Sequence, residues 1–243
     1  MERDMTKQLE KDLENLKSRV LTMGSLVEDA IQKSIKALVE RDNALAISVI
    51  DGDRKVNTLD VEIEDECIRL LALWQPSGSN LRFLTTAIKI ITDLERMGDL
   101  AVDICERAVE LNEEPPLKPY IDIPRMAEAA EAMLKDSLDA FVAKDPELAL
   151  RVCDNDDFVD NLNHQIFNEL LLYMIQDPKN ISRAVRITYI AKYLERIADH
   201  ATNIAEMVVY LVKGKVIRHM ECPSEEAGRK ILPHGGGTDL PEK

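Results

Sequence analysis

Residues 93–104 read DLERMGDLAVDI and residues 193–204 read YLERIADHATNI, so a Glu-Arg pair recurs at a distance of 196 − 96 = 100 residues. In both stretches an aspartate follows the glutamate four positions on: Glu95 with Asp99, and Glu195 with Asp199. Carboxylates one helical turn apart share a face and repel one another. A bound cation turns that repulsion into attraction. Oxygen-only donors suit hard or borderline ions such as Mg²⁺, Ca²⁺, Mn²⁺ or iron, and several carboxylates together can hold more than one ion.

The surrounding pattern marks these acids as departures from a seam. Phe83, Ala87, Ile90, Leu94, Met97, Ala101 and Ile104 form one apolar stripe of a helix. Leu81, Leu84, Ile88 and Ile91 begin a second, whose next positions are 95, 98 and 102, so Glu95 stands where an apolar residue would continue it. Asp99 and Asp103 follow at one and two turns. In the other stretch Ile181, Ala184 and Ala191 lead to Glu195, Asp199 and Asn203.

A preceding antiparallel helix adds further donors. A turn centred near Ser77 sets Asp53 opposite residue 101 and Asn57 opposite 97; one near Pro178 sets Asp156 opposite about residue 200 and Asp160 opposite about 196. Each half thus gathers four carboxylates and one amide: Asp53, Asn57, Glu95, Asp99 and Asp103, then Asp156, Asp160, Glu195, Asp199 and Asn203. One isolated Glu-x-x-x-Asp is best read as a solvated face, with Arg96 or Arg196 pairing at i+3. Two matching sets drawn from two helices each shift the balance to metal. His200 adjoins Asp199, but neighbours on a helix point about 100° apart, so it is read as an ordinary residue. No Gly-rich phosphate loop and no Ser-His-Asp or Cys-His pattern is present.

The elements that must position these acids are long helices. Leu13, Leu16, Val20, Met23, Val27 and Ala30 step by three and four toward Glu40. Asp42 and Asp145 stand as N-caps, the latter followed by Pro146. The second helix then runs to about Trp74, and the third from about Asn80 to Leu111. LVERDNALAISVIDGD at 38–53 matches FVAKDPELALRVCDND at 141–156, an offset of 103. The chain is therefore a tandem repeat, all-α, of two three-helix bundles. The expected boundaries are 1–111 for the first bundle, 112–124 for a Pro-rich linker, 125–219 for the second bundle and 220–243 for a mobile tail.

Composition agrees and excludes. Of 243 residues 45% are hydrophobic and only 4% aromatic, a balance that favours aliphatic helical seams over a β-sandwich. The net charge of −14 repels nucleic acid and anionic lipid. No apolar run reaches the length of a membrane span. Cys67, Cys105, Cys153 and Cys222 are widely spaced, as expected of reduced thiols in a cytoplasmic protein.

Together, DGDRKVNTLDVEIEDECIRLLALWQPSGSNLR, DLERMGDLAVDI and YLERIADHATNIAEMVVYLVKGKVIRH resemble the PhoU family of phosphate-signalling proteins, over about Glu14 to His219. The resemblance implies two three-helix bundles related by pseudo-two-fold symmetry in a cytoplasmic homodimer. It implies a non-enzymatic negative regulator of phosphate uptake and of the phosphate-starvation response. Such a regulator links the ATPase of a phosphate ABC transporter to a sensor histidine kinase, with only peripheral contact with the membrane complex. The family's metal motif falls on Glu95, Asp99, Glu195 and Asp199, with Asp53, Asp103, Asp156 and Asp160 as further contributors. The implied metals are divalent or trivalent and multinuclear: iron, zinc, manganese or magnesium. Two rivals have distinct signatures. A ferritin-type oxidase needs Glu-x-x-His, but Gly98 and Ala198 occupy the histidine position; a metal-free helical scaffold predicts no loss of function from carboxylate changes.

Overall fold

A computed structural model describes the backbone of residues 2–217 and the side chains of residues 7–217. Its elements are α1 (Glu2–Glu40), α2 (Asn43–Gly52), α3 (Arg54–Trp74), α4 (Gly78–Asn112), α5 (Asp122–Ala143), α6 (Pro146–Asp154), α7 (Asp156–Gln176) and α8 (Ile181–Lys213), with a 3₁₀ turn at Pro178–Asn180 before α8. No strand occurs among the described residues, and no helix is long and apolar enough to cross a membrane. The expected tail at 220–243 lies outside the described residues.

The repeat is visible in the caps. Arg41 (φ 59) and Lys144 (φ 53), 103 residues apart, both turn left-handed. The following amide N–H groups of Asp42 and Asp145 reach back to Ala37 O and Ala140 O, closing each first helix by a Schellman-type bond. The same aspartates open the next helix. Asp42 accepts from the Leu45 amide at 3.0 Å, and Asp145 from Glu147 and Leu148 at 2.9 and 3.1 Å.

The expected second helix of each repeat is two helices. The chain bends at Asp53, between α2 and α3, and at Asn155, between α6 and α7. The first bend falls in Asp-Gly-Asp and the second in Asp-Asn-Asp, residues that hold a helix weakly because their side chains or extra freedom compete with the ladder. Each bend sits beside the acids it delivers to the site.

The linker is also shorter than the prolines suggest. The irregular segment spans 113–121, and Pro124 lies inside the first turn of α5, where its missing N–H costs no helical bond. The segment is clamped rather than loose. Arg41 donates to Asn112 O and Glu114 O at 2.6 and 2.7 Å, Arg183 to Pro115 O at 2.9 Å, and the buried Lys118 pairs with Glu169 of α7.

α4 and α8 pack against each other across the two halves. Their antiparallel course is fixed by Arg82 donating to Leu211 O and by Arg186 pairing with Glu110. α1 and α5 meet likewise: Gly24 lies so close to Leu138 that a Cβ there would collide with it. One buried apolar cluster runs from Leu16 through α4 and α8 to Leu211, so the two bundles share a core.

Candidate metal-binding clusters

Asp53 at the N-cap of α3, with Asn57 and Asp60 within it, follows one face at steps of four and three, while α4 brings Glu95 and Asp99. Asn57 Nδ2 donates to Asp53 Oδ2 at 2.7 Å, holding that carboxylate in place. A Cβ on Gly98 would stand 3.1 Å from Asp53 Oδ1 and 3.3 Å from Val56 Cγ1. Asp53 therefore lies beside position 98, not 101 as the hairpin arithmetic predicts. The reversal is centred between Gln75 and Pro76, because left-handed Gln75 (φ 45) turns the chain directly after Trp74.

The acids feel one another. Burial raises Glu95, and the charges of Asp99, Asp60 and Asp53 raise it further, with Arg96 opposing. Asp53 is raised by burial and by Asp99, against the Asn57 hydrogen bond. Asp60 is raised by burial and by Glu64. Sequence reasoning missed Asp60, although its position seven residues after Asp53 places it on the same helical face.

The second cluster is deeper. Asp156 and Asp160 of α7 face Glu195 and Asp199 of α8. Burial, then the charges of Asp199, Asp160, Asp157 and Glu195, push Asp156 up to about 6. Asp160 is raised by burial, by Glu195 and Asp199, and by a hydrogen bond with Glu195. Asp199 is raised by burial and by Glu195, with Lys192, His200 and Arg196 opposing. Asp156 Oδ1 is buried without a hydrogen-bond partner, a costly state for a carboxylate oxygen. Glu195 Oε2 has the Lys192 ammonium in ion-pair contact, outside hydrogen-bond geometry. The first cluster has Thr92 in place of that lysine.

Asn203 falls elsewhere, and Asp103 stands between the first cluster and the α4–α8 seam. After burial, the neighbours that act on Asp103 are Glu106 and Arg107, then Asp99 and, from the other bundle, Arg196. Asn203 Nδ2 lies 3.4 Å from Asp93 Oδ1 of α4, and His200 Nδ1 lies 2.8 Å from the same oxygen. Both pairs join the bundles across the α4–α8 seam, because residue 103 or 203 sits two turns beyond Glu95 or Glu195 and the face drifts by then. His200 is thus a buried seam residue. Its partner Asp93 escaped sequence reasoning, though a carboxylate three residues after Ile90, in an apolar stripe, was the available signal.

Among the described residues no three acidic, histidine or cysteine side chains are already gathered in metal-binding geometry. The donor chemistry nevertheless fits an ion. Each cluster supplies carboxylate oxygens from two helices, they raise one another, and the second holds an unsatisfied buried oxygen. Metal would draw Asp53, Asp60, Glu95 and Asp99 together in the first, and Asp156, Asp160, Glu195 and Asp199 in the second.

Known proteins share the sequence pattern and the fold of this chain. The family model described as the PhoU domain matches residues 20–108 and again 123–208. A phosphate-specific transport system accessory protein PhoU homolog of Aquifex aeolicus is 46% identical over 209 residues, covering 86% of this chain and 95% of the relative. The crystal structure of PhoU from Pseudomonas aeruginosa superposes with a TM-score of 0.82 at 39% identity, covering 85% of this chain and 99% of that one. The crystal structure of the phosphate transport system regulatory protein PhoU from Streptococcus pneumoniae gives 0.80 at 31% identity, covering 86% and 98%.

Proposed function

Because the chain belongs to the PhoU family, we propose that it restrains phosphate uptake and the phosphate-starvation response when phosphate is ample. The family is one of transport-system accessory proteins and not of enzymes. The observation that carries the reading is the family match over both repeats, with relatives named for the phosphate transport system.

In this reading the protein is a cytoplasmic homodimer. It couples the ATPase of a phosphate ABC transporter to a sensor histidine kinase and touches the membrane only through that complex. Free phosphate is a poor direct ligand for a chain of net charge −14, so the signal arrives through the transporter. Metal ions held by the two carboxylate clusters stiffen the α3–α4 and α7–α8 faces and offset their like charges. A bound cation would supply positive field there, while the protein's own acids fix where that field stands.

The test is deletion of the gene in a host with no second copy, grown at high phosphate. Constitutive alkaline phosphatase and transporter expression is expected; continued repression overturns the regulatory reading. Complementation with a variant carrying Glu95→Ala, Asp99→Ala, Glu195→Ala and Asp199→Ala separates the metal question. Retained metal by elemental analysis would remove those four as ligands. A second reading, a scaffold needing no metal, draws on the Lys192 ammonium already set against Glu195, and restored repression by the metal-free variant would favour it.

A further inference from the structure

On the face away from the α4–α8 seam, α1 and α5 run antiparallel and enclose an elongated depression. They touch closely where Gly24 meets Leu138. Beyond that contact lie two surface cavities, of about 420 and 280 Å³, that share Gln32, Glu128 and Glu131 and so form one groove. Along α1 the groove runs from Ser25 to Glu40, about 22 Å at 1.5 Å per residue. That is the length of four helical turns, far more than an ion needs.

Its floor and walls differ in character. Toward one end the exposed Val39 (46%) and the half-buried Pro124 provide apolar surface over the buried Ile35 and Ala127. Five carboxylates line the groove, Glu28, Asp29, Glu40, Glu128 and Glu131, against the two ammonium groups of Lys36 and Lys135. Asp29 is paired with Lys33 at 2.6 Å. Among the described residues Glu28, Glu128 and Glu131 have no carboxylate–cation pair within 4 Å, although the charge of Lys135 reaches Glu28.

Glu28 and Glu131 are repeat equivalents, 131 − 28 = 103 residues apart, brought face to face across the pseudo-two-fold axis. Burial, then the charges of Glu128 and Glu28, push Glu131 up to about 7. Glu28 is raised by burial and by Asp139, with Lys135 opposing. A freely solvated acidic face does not carry this penalty. A cationic partner laid into the groove would relieve it.

We propose that the α1–α5 groove is a docking site for a basic amphipathic helix of a partner protein. Such a helix would lay its apolar stripe on Val39 and Pro124 and direct Lys or Arg to the glutamates. Helix-in-groove recognition of this kind takes affinity from apolar anchors and register from charge. The groove shares no lining residue with either metal-binding cluster, and the proposal does not depend on metal or on the regulatory role proposed above.

The test uses the full chain and a fluorescent helical peptide of about 16 residues, with leucine on one stripe and lysine elsewhere. A Leu/Glu peptide and a Ser/Lys peptide serve as comparisons, with anisotropy as the readout. The Leu/Lys peptide should bind at least about tenfold more tightly than either comparison. Glu28→Gln with Glu131→Gln should weaken it by about tenfold, with the thermal midpoint not lowered. Glu10→Gln with Asp65→Asn removes the same charge from exposed positions elsewhere and should leave binding within about twofold. Equal weakening by the two double variants would reduce the interaction to general charge attraction and overturn the proposal. So would absence of saturable binding by the Leu/Lys peptide.

Discussion

Asp156 concentrates the chemistry of the second cluster. Its pKa, pushed up to about 6 from the ordinary 3.8 of an aspartate, means the folded chain holds this proton over a window where the unfolded chain has released it. Stability from this group is therefore fullest below about pH 4 and is lost as pH rises through about 6. Asp156→Asn should stabilise metal-free protein at pH 8 by on the order of 1 kcal/mol once solvent screening of a half-exposed group is discounted, read as a higher thermal midpoint. At pH 4 the gain should vanish. Adding Mn²⁺ or Zn²⁺ should stabilise the wild type more than the variant and release protons near pH 6. Differential scanning calorimetry with and without chelator checks all three, and a gain of equal size at both pH values would contradict the electrostatic account.

Gly98 has a different part, set by space. A methyl group 3.1 Å from Asp53 Oδ1 must displace that carboxylate or Val56. Gly98→Ala should lower metal affinity at the first cluster by about tenfold, the usual scale for disturbing the support of a ligand. The second cluster already has Ala198 and should be untouched. Isothermal titration showing both clusters weakened together would mean that the effect is global.

Among the elements, the paired starts of α2 and α6 give a controlled comparison. Asp42 caps one amide and Asp145 caps two, with Pro146 preset in the first turn. Each alanine substitution should cost about 1 kcal/mol, and Asp145→Ala should cost the more, in urea unfolding. Equal losses would show that the second amide bond contributes nothing net. The bends at Asp53 and Asn155 belong to this scale too. They let α2 and α6 pack on the core while α3 and α7 swing their acids toward α4 and α8.

For the whole molecule the shared core matters more than the repeat. α4 and α8 bury side chains against each other, and Asp93, His200 and Asn203 meet inside that seam. Removing one half would expose the seam of the other. The full chain should therefore unfold in one calorimetric transition, and separately expressed residues 1–111 and 125–219 should each be markedly less stable than the whole. Two resolved transitions would show that the bundles fold as independent units.

The helices, their tandem order and the acids at 95, 99, 195 and 199 were legible in the sequence because helical periodicity is local and the motif occurs twice. Asp42 and Asp145 were legible for the same reason, since a cap is decided within a few residues. The bends at Asp53 and Asn155 were not: helical periodicity runs on across them, and only packing selects a break. Asp60 had a readable spacing, but its closeness to Glu95 depends on where Gln75 turns the chain. Asn203 shares the sequence rhythm of the clusters yet belongs to the seam between bundles, since a face read along one helix does not say which neighbour lies against it. The meeting of Glu28 with Glu131 lies furthest from the sequence. It joins two elements 103 residues apart, and only the shared core brings them together.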